Sequence, residues 1–216
     1  MNRTTFTILL GGDLAMTERL RAAVTDTRFV AADGGMRHAA ALGVKPEVWV
    51  GDFDSTPDEL TDAWPDVLRE PYPSAKNETD GAIAVAAALE RGATRLILAG
   101  ALGGERSDHA LMHLIHAVSL AEEGVETMLT SGEEEAWPLL PGETEVELPR
   151  GSLFSILGLS ALTGLSISNV RYPLDRFDLP FGSSRTISNV AEGRAHFTLT
   201  SGRAVLLARP YDLSGA

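Results

Sequence analysis

The sequence predicts an α/β fold: a Rossmann-like, mostly parallel sheet domain over residues 1–132, then an all-β sandwich domain over 133–216. Three observations predict it. Short apolar runs alternate with helix-like segments up to about residue 131, the pattern of a parallel sheet covered on both faces. Gly or Asp clusters stand directly after four of those runs. Beyond Ser131 helical periodicity stops, and short β-like runs parted by Gly, Pro and Ser take over.

Taken in order, residues 6–10 read as a buried strand stopped by Gly11-Gly12-Asp13, and 17–24 as a helix. A second strand over 29–32 stops at Asp33-Gly34-Gly35, and a short helix over 36–42 ends at Gly43. A third strand, 48–50, runs into Gly51-Asp52-Phe53-Asp54-Ser55. Thr56-Pro57-Asp58-Glu59 then has the form of a capping box with proline at the first helical position. A fourth strand is expected over 67–69, and an alanine-rich helix from Thr79 or Asp80 to Arg91. A fifth strand over 96–99 leads into Gly100-Ala101-Leu102-Gly103-Gly104, a long helix follows over 108–122, and 126–129 closes the pattern. Glu133-Glu134-Glu135 reads as a solvated turn at the domain boundary. After it, strands are expected over 143–148, 153–157, 165–170, 195–199 and 204–207.

The 216 residues are 44% hydrophobic and carry a formal net charge of −12. That charge argues against a general nucleic-acid binder, which needs a cationic surface to displace counterions. No apolar run is long enough to span a bilayer, and the N-terminal residues lack a signal-peptide pattern. Cysteine is absent, which excludes disulfides and thiolate metal sites. Together these favour the cytoplasm and no membrane partner.

In open parallel sheets ligands gather beyond the carboxyl ends of the strands. Four Gly/Asp clusters on one such edge suggest a phosphate-rich ligand. In an extended exit loop Asp52 and Asp54 would point the same way. Two carboxylates that close call for a cation between them, and Mg²⁺ suits hard oxygen ligands and phosphates. Acidic pairs after strands also serve as turn formers and helix caps, and the octapeptide alone leaves both readings open. Asp33-Gly34-Gly35 either admits a phosphate or ribose or is an ordinary tight turn. Lys76-Asn77-Glu78-Thr79-Asp80 opens a helix, with Asp80 as a cap or as a third site carboxylate and Lys76 on a phosphate. Gly103-Gly104-Glu105-Arg106-Ser107-Asp108-His109 joins a free backbone, a forked cation and an acid–imidazole pair. His109, His113 and His116 share a helical face, where pocket lining or packing is the commoner role and zinc the rarer one. Residues 182–189 read as a polar hairpin loop.

Taken together, Ala-Asp-Gly-Gly (32–35), Gly-Asp-Phe-Asp-Ser (51–55), Thr-Asp (79–80), Gly-Gly-Glu-Arg-Ser-Asp-His (103–109), Tyr-Pro-Leu (172–174) and Ser-Asn (188–189) resemble the thiamine pyrophosphokinase family. The resemblance runs nearly the whole chain. It implies a homodimer with active sites between subunits, and transfer of the pyrophosphoryl group of ATP to the thiamine hydroxyl with release of AMP. Carried over by position, Asp52, Asp54 and Asp80 would be the catalytic and Mg²⁺-binding carboxylates. Asp33, Gly34, Gly35, Lys76, Thr79, Gly103, Gly104, Arg106, Asp108 and His109 would serve ATP, and Ser188 and Asn189 thiamine. Three positions depart from the family's usual pattern: Asn77 stands where an acid is common, Glu105 splits Gly-Gly from Arg106, and His113 stands where asparagine is common.

Two other functions fit parts of the chain. Asp52-Phe53-Asp54-Ser55-Thr56 has the Asp-x-Asp-x-Thr form of haloacid dehalogenase-like phosphatases, in which the first aspartate is the nucleophile. A non-catalytic nucleotide or thiamine sensor is compatible with the departures at Asn77 and Glu105.

Overall fold

Runs that are apolar throughout become strands where both faces are covered. The computed structural model describes residues 3–54, 56–73 and 78–215. They form a mixed α/β, sheet-rich chain that divides into two units, Met1–His113 with Val125–Gly132, and Leu114–Gly124 with Glu133–Ala216.

In the first unit β1 (Thr5–Leu9), β2 (Arg28–Ala32), β3 (Val48–Gly51), β4 (Leu68–Pro71), β5 (Arg95–Ala99) and β6 (Glu126–Thr130) are all parallel to their neighbours. Their order is β4-β3-β2-β1-β5-β6. The chain moves outward from β1 to β4 and then returns to the other side of β1 with β5. That reversal makes the carboxyl ends of β1 and β5 the switch point at which such sheets open a crevice. Phe6, Ile8, Val30, Trp49 and Leu96–Leu98 are fully buried, which explains why these strands read as unbroken apolar runs.

Helix α1 (Glu18–Val24) is capped by Thr17, whose hydroxyl accepts from Leu20 N–H. A 3-10 turn over Asp33–Met36 leads into α2 (Arg37–Leu42), which ends at Gly43 in the left-handed region. Helix α3 (Asp58–Ala63) follows β3, α4 (Asp80–Glu90) is capped by Thr79 through Ala82 N–H, and α5 (Ser107–Glu122) follows β5. The expected capping box at Thr56 does not form. Pro57 is the cap residue of α3 and makes no side-chain cap bond, because the Thr56 hydroxyl donates to Asp33 Oδ1 at 3.2 Å. Strand β4 also begins one residue later than expected, since Val67 N–H closes a turn onto Trp64 O.

The second unit is antiparallel throughout its own strands: β7 (Glu135–Leu139), β8 (Gly142–Val146), β9 (Leu153–Gly158), β10 (Leu162–Val170), β11 (Leu174–Leu179), β12 (Asn189–Leu199) and β13 (Ala204–Arg209). Strand β12 pairs with β9 at Asn189 and Val190, and with β8 and β10 along its later residues. Phe154 meets Phe197 edge to face at 5.8 Å inside a core that includes Ile156, Leu165 and Leu206.

One expectation fails here, and β7, β11 and the first half of β12 are strands that the sequence did not announce. Glu135 is not in a solvated turn; it is buried and starts β7 opposite Ala208. Pro138 hides β7 in the sequence, because proline argues against a paired strand. Strand β11 (LDRFDL) and the first half of β12 are too exposed or too polar to show as apolar runs.

Candidate active site

Trp49 anchors the exits of β2 and β3. Its ring is fully buried, and its indole N–H donates to the Asp33 carbonyl at 2.8 Å. The Phe53 ring meets it edge to face, with centroids 5.1 Å apart. Both residues held this way have left-handed backbones, φ 41° at Asp33 and 61° at Phe53. Such conformations are costly for non-glycine residues and persist where the surroundings impose them. Thr56 adds a bond from the β3 exit loop to the Asp33 carboxylate.

The turn at Phe53 changes the expected relation of the aspartates. The loop is not extended, so alternation does not put Asp52 and Asp54 on one side. Asp54 N–H instead donates to Asp52 Oδ1 at 3.1 Å, an Asx turn. Asp52 lines a cavity of about 630 Å³ together with Asp33, Glu78 and Asp80. Gly34, Thr79 and His109 also line it, whereas Asp54 is not in its wall. Among the described residues no three His, Cys, Asp or Glu side chains stand close enough to hold a metal ion. Asp52, Asp54 and Asp80 therefore do not form a ready three-carboxylate cage. Lys76 and Asn77 lie outside the described residues.

A second cavity, about 450 Å³, lies at the switch point between β1 and β5. Gly103, Gly104, Arg106 and His109 line it, with Gly11, Gly12 and Asp13 from the β1 exit. Glycine is required here for close approach. Gly12 N–H donates to Gly100 O at 3.1 Å, and a Cβ on Gly12 would sit 2.4 Å from that oxygen. Gly35 plays a different part from the one its motif suggested. It is buried, and a Cβ there would lie 2.1 Å from Leu9 O, so it packs the turn against β1. Arg106 donates two bonds to the Asp108 carboxylate, at 2.9 and 2.7 Å. That fork holds the Asp108 carboxyl well below the usual range.

Arg37, which the sequence reading passed over, lines both cavities. It donates to the carbonyls of Gly11 and Gly12, and at 3.5 Å to that of Gly34. The guanidinium thus ties the β1 exit to the turn after β2. Beside it the buried His38 donates from Nε2 to Gly12 O at 2.9 Å. Burial pushes its imidazole below the ordinary value, with the Gly12 carbonyl opposing. The available signal for both was their position, directly after Asp-Gly-Gly at the start of a helix. His109 and His113 line both cavities, with ring centroids 6.4 Å apart.

In the second unit Ser188 and Asn189 line a cavity of about 250 Å³ with Tyr172 and Arg185. Ser188 is another non-glycine residue with a left-handed backbone, φ 59°.

A family model described as "Thiamin pyrophosphokinase, catalytic domain" matches residues 22–129, and one described as "Thiamin pyrophosphokinase, vitamin B1 binding domain" matches residues 143–204. The chain belongs to the thiamine pyrophosphokinase family. Solved structures agree with that membership. A thiamin pyrophosphokinase from Geobacillus thermodenitrificans is 27% identical with a TM-score of 0.83, over 99% of this chain and 100% of that one. A thiamine pyrophosphokinase from Bacillus subtilis is 23% identical with a TM-score of 0.85, over 96% and 100%. One from Candida albicans is 14% identical with a TM-score of 0.80, over 95% and 90%. At these last two identities the likeness speaks for the fold alone. No curated protein sequence matches. In this thiamine pyrophosphokinase family member, the catalytic-domain match includes the acidic cavity's residues from Ala32 to His113.

Proposed function

We infer that this chain is a thiamine diphosphokinase, transferring the pyrophosphoryl group of ATP to the thiamine hydroxyl to give thiamine diphosphate and AMP. The observation that carries this is the match to both domains of the family, catalytic and vitamin B1-binding, in one chain. The phosphatase and sensor readings are not favoured by it. The domain reading is a Rossmann-like nucleotide domain over 1–132 and a β-sandwich over 133–216 that binds thiamine and forms the homodimer. The proposed setting is the cytoplasm, with ATP and thiamine as partners and neither nucleic acid nor membrane; among the described residues no helix is long and apolar enough to cross a membrane.

The acidic cavity suits a nucleotide's phosphates only with a counter-ion. Two carboxylates facing one cavity, Asp52 and Asp80, fit Mg²⁺, which takes one or two protein carboxylates and leaves its other positions to phosphate oxygens and water. When bound, the ion would offset the charge of the ATP tail and of the aspartates. Asp52 and Asp80 are the proposed ligands in this wall. Asp54 belongs to the same set through its N–H, which orients Asp52. Thr79 caps α4 and so fixes Asp80 at the helix start. Asp33, Gly34, Gly103 and Gly104 are proposed for the nucleotide, with Gly35 packing beneath them and Lys76, Arg106, Asp108 and His109 at its phosphates. Ser188 and Asn189 are proposed for thiamine.

The reaction needs little covalent chemistry from the protein. The thiamine hydroxyl oxygen bonds to the β-phosphorus, the bond from that phosphorus to the bridging oxygen breaks, and AMP leaves in line. The hydroxyl proton passes to a carboxylate; of Asp54 and Asp80, Asp80 is the one in the cavity wall. The test incubates pure protein with ATP, Mg²⁺ and thiamine. AMP and thiamine diphosphate are expected to appear together, and Asp52→Asn should cut turnover by about 100-fold or more even at saturating Mg²⁺. Unchanged turnover in that variant would remove the metal assignment.

A further inference from the structure

Glycine is a poor helix former, yet Gly81 stands in the first turn of α4, directly after Asp80. It is buried, and the structure shows why nothing larger fits. A Cβ on Gly81 would lie 2.9 Å from His113 Cε1 and 3.1 Å from Leu10 Cδ2. The exit of β1, the start of α4 and α5 therefore meet on one α-carbon.

The two neighbours differ in how firmly they stand. Leu10 is buried, and its N–H donates to Ala99 O at 2.8 Å, so this side belongs to the sheet and does not yield. His113 is half-buried and lines both cavities. Its ring meets that of His109, one turn earlier, edge to face. It reaches from α5 and closes the other side of Gly81. Along the helix axis the turn is held by Thr79, whose hydroxyl accepts from Ala82 N–H at 3.2 Å and whose carbonyl accepts from Ile83 N–H at 3.1 Å. The cap fixes the turn along the axis; Leu10 and His113 fix it sideways. A shorter side chain at position 113, such as the asparagine common in the family, would leave that sideways contact open.

We propose that His113 is a positioning residue: its ring, wedged on Gly81, fixes the first turn of α4 and so holds Asp80 in the cavity wall that it shares with Asp52. The proposal rests on the Mg²⁺ and ATP reading above and deepens it. A carboxylate grips an ion well only when its own mount is fixed, and groups one step behind the ligands supply that mount. His113 and Gly81 then work as a matched pair. A methyl group at 81 would meet the immovable Leu10 on one side and the imidazole on the other, so either the ring leaves or the turn shifts.

The test is isothermal titration of the full-length protein with ATP in Mg²⁺, without thiamine so that nothing turns over. His113→Ala and Gly81→Ala should each weaken ATP binding about tenfold, as the loss of a group behind a metal ligand does. In an Asp80→Asn background His113→Ala should cost less than about twofold more, since a residue that acts only through another adds little once that residue is gone. The double variant Gly81→Ala/His113→Ala should bind no worse than His113→Ala alone, because the methyl group then has room. The KM for thiamine should not move in either single variant. ATP affinity unchanged in His113→Ala overturns the proposal while leaving the activity in place. Losses that multiply between His113→Ala and Asp80→Asn overturn the route through Asp80. The His113 and Asp80 variants keep the test valid should Gly81→Ala fail to fold. A wild-type protein that neither binds ATP in Mg²⁺ nor releases AMP with thiamine would instead remove the activity reading, and this inference with it.

Discussion

Gly11 and Gly12 stand side by side at the end of β1, and the structure separates them sharply. A Cβ on Gly12 would lie 2.4 Å from Gly100 O and 3.1 Å from Gly103 O, both backbone atoms. A Cβ on Gly11 would have nothing within 4 Å. Gly12→Ala must therefore part the β1 and β5 exit loops by at least about half an ångström to reach an allowed contact. Parting them stretches the Gly12–Gly100 hydrogen bond and pulls the Gly12 carbonyl from Arg37 and His38. Overpacking costs roughly 1–3 kcal/mol and a lost hydrogen bond about 1, so a loss of about 2–4 kcal/mol is expected. For a chain of this size that corresponds to a drop in melting temperature on the order of 5–15 °C. Gly11→Ala should stay within about half a kcal/mol of wild type. Thermal melts followed by circular dichroism read both, and ATP titration should show weaker binding only for Gly12→Ala. Equal melting temperatures for the two variants would refute the claim that these loops meet at the switch point.

Arg37→Met should raise the KM for ATP about tenfold and leave that for thiamine unchanged, because a cation shared by the two cavities proposed for the nucleotide is lost; steady-state kinetics with each substrate varied checks it. His38 bears on pH. Its folded pKa lies below the ordinary 6.5, so the unfolded chain binds more protons and stability rises with pH in that window. The contribution is fully present above about 6.5 and is lost as pH falls through the folded value; His38→Gln should flatten the slope of urea-unfolding stability between pH 7 and about 5.

Much of this was legible in the sequence because parallel strands buried on both faces write themselves as unbroken apolar runs. Val48-Trp49-Val50 and Leu96-Ile97-Leu98 are examples, and the glycines after them mark where the chain must turn or approach another loop. What escaped was set by partners distant in sequence. The Thr56 hydroxyl left its capping role for Asp33, 23 residues away. Phe53 was drawn onto Trp49, which turned the loop so that Asp54 N–H meets the Asp52 carboxylate. Asn189 was marked as a site residue by its motif, but only coordinates show its amide spent on Tyr172. Arg37 makes its bonds to carbonyls, which carry no side-chain signature at all.

ATP labelled at the β-phosphorus gives the most direct test of the proposed activity. With thiamine and Mg²⁺ present, the label should pass into thiamine diphosphate as unlabelled AMP accumulates in equal amount. Label recovered in ADP or inorganic phosphate, with none in a thiamine product, would contradict pyrophosphoryl transfer by this chain.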